Sequence, residues 1–69
     1  MSQVQSVVFD RLKWNIPKAV KWLKDHGFRA YKVDIKPSTL RFRQMDPSQF
    51  KKYRTKTTSD GINLVIGFN

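Results

Sequence analysis

The stretch Thr39-Leu40-Arg41-Phe42-Arg43-Gln44-Met45 decides the fold. Read with the two-residue period of a strand, it places Leu40, Phe42 and Gln44 on one side and Thr39, Arg41, Arg43 and Met45 on the other. One face is apolar and can pin a small core. The other turns two guanidinium groups toward water or toward an anionic partner.

The segment just upstream repeats the pattern. From Arg29 to Lys36, Tyr31, Val33 and Ile35 alternate with Ala30, Lys32, Asp34 and Lys36, which predicts a strand. Lys36-Pro37-Ser38 interrupts it, so the two strands form an antiparallel hairpin through a short loop containing proline. If Tyr31, Val33, Ile35, Leu40 and Phe42 all pack inward, then Lys32, Lys36, Arg41 and Arg43 share the opposite face at neighbouring-strand distances. Asp34 answers only part of that charge.

What lies over the apolar face is a helix from Ile16 to about His26, punctuated at both ends. Asn15 can cap its N-terminus, and Pro17 sits in the first turn, where a missing N–H costs nothing. Gly27 is placed to close the C-terminus, with Phe28 folding back on Leu23. On a helical wheel Ile16, Ala19, Val20 and Leu23 occupy one arc, and Lys18, Lys21, Lys24 and Asp25 the other. Trp22 lies at the border, either packed against the sheet edge or exposed as a stacking surface. Ahead of the helix, Val4 to Leu12 reads as a first strand in which Val7 and Phe9, or Val8 alone, face inward.

Downstream, Asp46-Pro47-Ser48-Gln49-Phe50 has the signature of a single helical turn, with Asp46 as cap, Pro47 first and Phe50 turned back toward the core. Lys51-Lys52-Tyr53-Arg54-Thr55-Lys56-Thr57-Thr58 is a basic stretch holding one aromatic residue, read either as a solvated loop or as a binding arm. Ser59-Asp60-Gly61 is a turn signal. The last strand alternates Ile62, Leu64, Ile66 and Phe68 inward against Asn63, Val65 and Gly67 outward. The expected architecture is a single small α+β domain over residues 1–69, in β-α-β-β-β order, with one main helix packed on a mostly antiparallel sheet.

The 69 residues include fourteen Lys and Arg against five acids, all Asp, for a formal net charge of +9. Such a field attracts polyanions over roughly a Debye length, about 10 Å at moderate salt. Nucleic acid, DNA or RNA, is therefore the first partner to consider. A cationic surface kept for solubility, an acidic protein partner and lipid headgroups are the alternatives. The absence of cysteine excludes disulfides and thiolate metal sites. No stretch has the apolar length of a membrane span or the layout of a signal peptide, so a soluble intracellular protein is expected.

Catalytic chemistry finds no foothold in this sequence. The lone His26 falls at the helix C-terminus, where it can meet the last carbonyls. No carboxylate pair, P-loop, glycine-rich dinucleotide motif or metal-ligand set is present, and no cofactor is expected. What remains is cationic and aromatic. A central patch comprises Lys32, Lys36, Arg41 and Arg43, and a flanking arm comprises Lys51, Lys52, Tyr53, Arg54 and Lys56. Spread positive charge suits phosphates, while flat rings and guanidinium planes suit unpaired bases. The expectation is a non-enzymatic nucleic-acid-binding module directed mainly at the backbone. The alternative is a small virion structural or adaptor protein that binds an acidic protein or self-associates, with Val65, Trp14 or Trp22 as exposed anchors.

Several segments resemble a short basic domain found in proteins of large DNA viruses and tailed phages, sometimes beside head-maturation proteases. They are Lys13-Trp14, the run Ala-Val-Lys-Trp-Leu-Lys-Asp-His-Gly-Phe at 19–28, Lys-Val-Asp at 32–34, Leu-Arg-Phe-Arg-Gln at 40–44, Asp-Pro-Ser-Gln-Phe at 46–50, Arg-Thr-Lys at 54–56 and Gly-Ile-Asn-Leu-Val-Ile-Gly-Phe at 61–68. The likeness runs from about Phe9 to Phe68. It implies a nucleic-acid or virion role in an infected cell or a virus particle, and it transfers no catalytic residue.

Overall fold

A computed structural model of the chain describes residues 2–58 and 60–69. Five strands form one antiparallel sheet with a single helix packed on it. The strands are β1 (Gln3–Asp10), β2 (Val33–Ile35), β3 (Thr39–Arg43), β4 (Lys52–Thr57) and β5 (Ile62–Phe68), and the helix is α1 (Ile16–Asp25). Their spatial order is β2-β3-β1-β5-β4, which puts the first strand at the centre. The expected α+β layout is thus present, with β4 as a further strand within the basic stretch.

Register fixes the two faces, because residues directly opposed in antiparallel strands project to the same side. Phe9 sits between Leu40 and Ile62, and Val7 between Phe42 and Leu64. These side chains, with Ala19 and Leu23 of the helix, make the core. Val7 and Phe9 therefore face α1. Val8 lies on the opposite side yet is almost fully buried, because β1 has a neighbour on each flank. Fully burying a leucine or phenylalanine stabilises by about 1.5–3 kcal/mol, so Phe9, Leu23, Leu40 and Phe42 carry much of the fold. Three of the ring contacts converge on Phe9, from Trp14, Trp22 and Phe42 at 5.1, 5.8 and 5.6 Å between centroids.

Helix α1 has the ends its sequence specifies. The Asn15 side chain accepts from the Lys18 N–H at 2.9 Å. At the other end the Phe28 N–H reaches the Leu23 carbonyl at 2.8 Å and the Gly27 N–H that of Lys24 at 3.3 Å, with Gly27 at φ +77°. This is a Schellman closure. His26 turns its Nδ1 to the Trp22 carbonyl at 2.8 Å and stacks on the Trp22 ring at 3.9 Å. Trp22 is half-buried, packing on Phe9 and Phe28. Ile16 departs from the wheel and is exposed.

Four further expectations are corrected. The strand read over 29–36 shrinks to Val33–Ile35. Lys32 takes a left-handed φ of +54°, which ends the extended run, and the backbone of Arg29 is held by the Gln44 side chain instead of a neighbouring strand. Tyr31, Val33 and Ile35 are consequently exposed. Val33 and Ile35 oppose Phe42 and Leu40 and so share the helix side, but β2 is the sheet edge and α1 does not reach that far. The first strand ends at Asp10, where the carboxylate accepts the Leu12 N–H at 2.9 Å and the carbonyl accepts from Trp14 at 2.9 Å, turning the chain toward α1.

The third correction concerns Phe50. A single 3-10 turn at Pro47–Gln49 is capped by Asp46 as expected, but Phe50 lies across Gly67, on the side of the sheet away from the helix. The fourth is that Lys52–Thr57 is neither loop nor mobile arm; it pairs with β5 along its length. Of the turn read at 59–61, Ser59 lies outside the described residues, while Asp60 and Gly61 take φ of +65° and +74°.

The central strand carries one irregularity. The β1/β5 register shifts between Val4 and Ser6, making Gln5 an extra residue, a β-bulge. Its carbonyl accepts from both Gln44 and Met45 at 2.7 and 3.2 Å, and its side-chain amide donates to the Met45 carbonyl at 2.8 Å. The bulge thereby fixes the point at which the chain leaves β3 and crosses toward β4.

Candidate functional site

The sheet has one face under α1 and an opposite face that α1 does not cover. Arg41 opposes Val8 and Asp34, and Arg43 opposes Ser6. Both arginines stand on the open face, as the alternation in Thr39–Met45 requires, and both are exposed. Across the sheet the same face continues through Asn63 and Val65 of β5 to Thr57, Thr55 and Tyr53 of β4. Three inter-strand spacings, about 14 Å, separate β3 from β4. Between β3 and β4 this face carries small and uncharged groups; the arginines line one margin together with the carboxylates of Asp34, opposite Arg41, and Asp10, opposite Thr39, and a tyrosine marks the far corner.

The β3–β4 crossover walls one end. Tyr53 donates its hydroxyl to the Pro47 carbonyl, and its ring meets Phe50 edge-on at 6.1 Å. Between this wall and the arginines lies a depression of about 300 Å³ lined by Gln5, Ser6, Lys32, Asp34, Arg41 and Arg43, among others. Its polar floor is already satisfied. Ser6 donates to the side-chain carbonyl oxygen of Gln5 at 2.6 Å, and no buried side-chain N or O atom among the described residues lacks a partner. Of the charged groups at its rim, Asp34 is paired with Lys36, which leaves Lys32, Arg41 and Arg43 as the groups that could meet an anionic ligand.

Of the central patch, Lys32, Arg41 and Arg43 come together around this depression. Lys36 stands apart. Its ammonium lies 3.5 Å from the Asp34 carboxylate in an exposed pair, and its carbonyl accepts from Arg11 at 2.8 Å. An exposed pair of that kind is worth about 0–1 kcal/mol, so it orients Lys36 more than it stabilises the fold.

The flanking arm divides by parity. Tyr53 belongs to the open face, but Lys52, Arg54 and Lys56 oppose Phe68, Ile66 and Leu64, which lie on the helix side. Arg54 places its guanidinium 5.8 Å from the Phe68 ring centroid, on that same side. Lys51 precedes the strand and is exposed. The nine residues expected to act together are thus divided: Lys32, Arg41 and Arg43 gather around the depression with Tyr53 at the far corner of the same face, Lys52, Arg54 and Lys56 lie on the helix side, and Lys36 and Lys51 stand apart from both groups.

Asp46 sits close to this surface. The Ser48 backbone N–H, followed by the Ser48 side chain, holds its carboxyl below the ordinary carboxylate value, and Arg43 and Lys32 add to the effect. It is therefore an ion at neutral pH, offsetting part of the charge of Lys32 and Arg43. Sequence reasoning missed Gln5, whose bulge organises the crossover. The signal available was weak, a polar pair, Gln5-Ser6, inside an otherwise apolar strand.

The described residues contain no group of three or more His, Cys, Asp or Glu able to hold a metal ion. Among the described residues no helix is long and apolar enough to cross a membrane. No family model matches the chain, and neither a curated protein nor a solved structure does.

Proposed function

We propose that this chain is a non-enzymatic nucleic-acid-binding module that lays a polyanionic strand across its open sheet face. The observation that carries the reading is the convergence of Arg41, Arg43 and Lys32 around one depression on the face away from α1. Arginine forks pair bidentately with phosphate oxygens, and their planes also stack on bases. With a formal net charge of +9, the long-range field brings the polyanion in. The viral setting implied by the sequence resemblance belongs to the same proposal.

The test is fluorescence anisotropy of labelled single-stranded DNA, duplex DNA and RNA at low and moderate salt. If Lys32, Arg41 and Arg43 each neutralise one phosphate, the log-log salt slope is at least about −2 on a single strand, at roughly −0.7 per contact. Absence of binding at low salt refutes the proposal.

A second reading draws on a separate observation. Ile35 is 53% exposed and Val33 37% on the β2 edge, with Leu12 at 93% on the turn after β1. Exposed apolar groups beside an unpaired strand edge favour a protein contact, whereas Trp14, Trp22 and Val65, the anchors expected from sequence, are all partly covered. Concentration-dependent light scattering without affinity for nucleic acid supports this second reading over the first.

A further inference from the structure

A cleft of about 660 Å³ lies between the C-terminus of α1, the segment 29–32 and the start of the β3–β4 crossover. Its volume falls within the roughly 300–1,000 Å³ of ligand clefts. Arg29, Tyr31, Lys32 and Arg43 line it, together with Phe28 and Asp46. Three cations and one carboxylate thus surround two aromatic rings. Lys32 and Arg43 also line the depression beside Arg41, so the two concavities share a cationic rim.

The arrangement is organised around Tyr31, a residue 43% exposed. The Arg29 guanidinium donates to the Tyr31 hydroxyl at 3.0 Å and lies 5.8 Å from its ring centroid. The Lys32 ammonium lies 5.7 Å from the same centroid. The backbone beneath is held from both sides. Gln44 accepts from the Arg29 N–H and donates to the Arg29 carbonyl, each at 2.7 Å, with its own side chain buried. Lys32 is kept in a left-handed conformation that a non-glycine residue adopts only at a cost, and such outliers cluster at ligand clamps.

An apolar ligand would have no use for these charges, and a simple anion no use for the ring. Together they match a nucleotide, which offers a flat base and a phosphate within one reach. A duplex keeps its bases stacked inside and cannot present one here without flipping it out. We propose that this cleft takes one unpaired nucleotide of a single strand, its base against Tyr31 and its phosphate between Lys32 and Arg43, at the end of the path that crosses the open face. This rests on the nucleic-acid reading and narrows it to single strands.

The experiment compares the full chain with its Tyr31→Leu and Tyr31→Phe variants, using labelled oligo-dT and a labelled hairpin duplex as probes. Folding is checked by circular dichroism. Leucine keeps apolar bulk but removes the flat ring, whereas phenylalanine keeps the ring and loses only the hydroxyl contact with Arg29. The wild type is expected to prefer the single strand. Tyr31→Leu then weakens oligo-dT binding about tenfold, within the range for loss of one stacked base, and leaves duplex binding unchanged; Tyr31→Phe stays close to wild type. Unchanged oligo-dT affinity in folded Tyr31→Leu overturns the proposal. Equal wild-type affinity for both probes with a steep salt dependence overturns the cleft but leaves the open face standing, while binding of neither probe removes the nucleic-acid reading itself.

Discussion

Replacing Gly67 by alanine tests how the β3–β4 crossover is locked onto the sheet. Gly67 opposes Tyr53 on one side and Gln3 on the other, and the Phe50 ring lies across it. A Cβ built at Gly67 falls within contact of three ring atoms of Phe50, closer than any real side chain approaches. Its φ is not in the left-handed region, so the backbone accepts alanine and the ring alone decides the outcome. Overpacking of this kind costs about 1–3 kcal/mol. At roughly 0.05–0.15 kcal/mol per residue, a chain of 69 residues has about 3–10 kcal/mol to lose. Urea unfolding followed by the fluorescence of Trp14 and Trp22 reads the change. In a Phe50→Ala background the obstacle is gone, and Gly67→Ala becomes neutral or stabilises by up to about 1 kcal/mol through reduced freedom of the unfolded chain. Strong non-additivity in this cycle is the expected result. Additive effects, or an alanine tolerated beside Phe50, refute the placement of the ring.

Three other outcomes are expected from the same structure. Leu23→Ala empties the centre of the core, where Leu23 is fully buried; it should cost about 2–5 kcal/mol by urea unfolding, against under about 0.5 kcal/mol for the exposed Lys24→Ala. Gln44→Met leaves the Arg29 N–H and carbonyl without their side-chain partner, which should cost about 1–3 kcal/mol and accelerate hydrogen exchange at the Arg29 amide. Because Asp46 has its folded pKa lowered from 3.8 by the Ser48 backbone N–H, its contribution is present above about pH 4 and is lost as pH falls through the depressed folded value. The Ser48 amide resonance should move in that acid window in the wild type and stay put in Asp46→Asn.

How much of the fold was legible in the sequence depends on where each residue sits relative to α1. Asn15, Pro17 and Gly27 mark the helix because capping is local chemistry that needs no tertiary partner. The alternation of Leu40 to Gln44 is plain because β3 buries Leu40 and Phe42 and exposes Arg41 and Arg43, and that of Ile62 to Phe68 because its large apolar side chains recur every second residue, although β5 is at least partly covered on both faces. The same rule misleads at Val33 and Ile35, whose alternation is real but lies at an edge beyond the reach of the helix, and at Tyr31, which the left-handed turn at Lys32 leaves outside the strand. It is silent for Lys52–Thr57, an edge strand exposed on both faces, where nothing apolar records the period. The candidate site divided for the same reason. Arg41 and Arg43 could be placed by their own strand, whereas the facing of Lys52, Arg54 and Lys56 depends on how the crossover delivers β4 to β5, a register no local pattern encodes.

In the proposed function the open face, and not total charge, binds the polyanion. Two double reversals separate these, Arg41→Glu with Arg43→Glu, and Arg54→Glu with Lys56→Glu. Each reversal changes the charge by two, so each pair takes the formal net charge from +9 to +5. The measurement is the affinity of a labelled single strand for both variants across a salt series, with folding confirmed by circular dichroism. The Arg41/Arg43 variant should bind far more weakly, with its salt slope reduced by about 1.4 for two lost phosphate contacts, while the Arg54/Lys56 variant keeps the wild-type slope. Equal losses in the two variants, or a greater loss from Arg54 and Lys56, would contradict the open-face proposal.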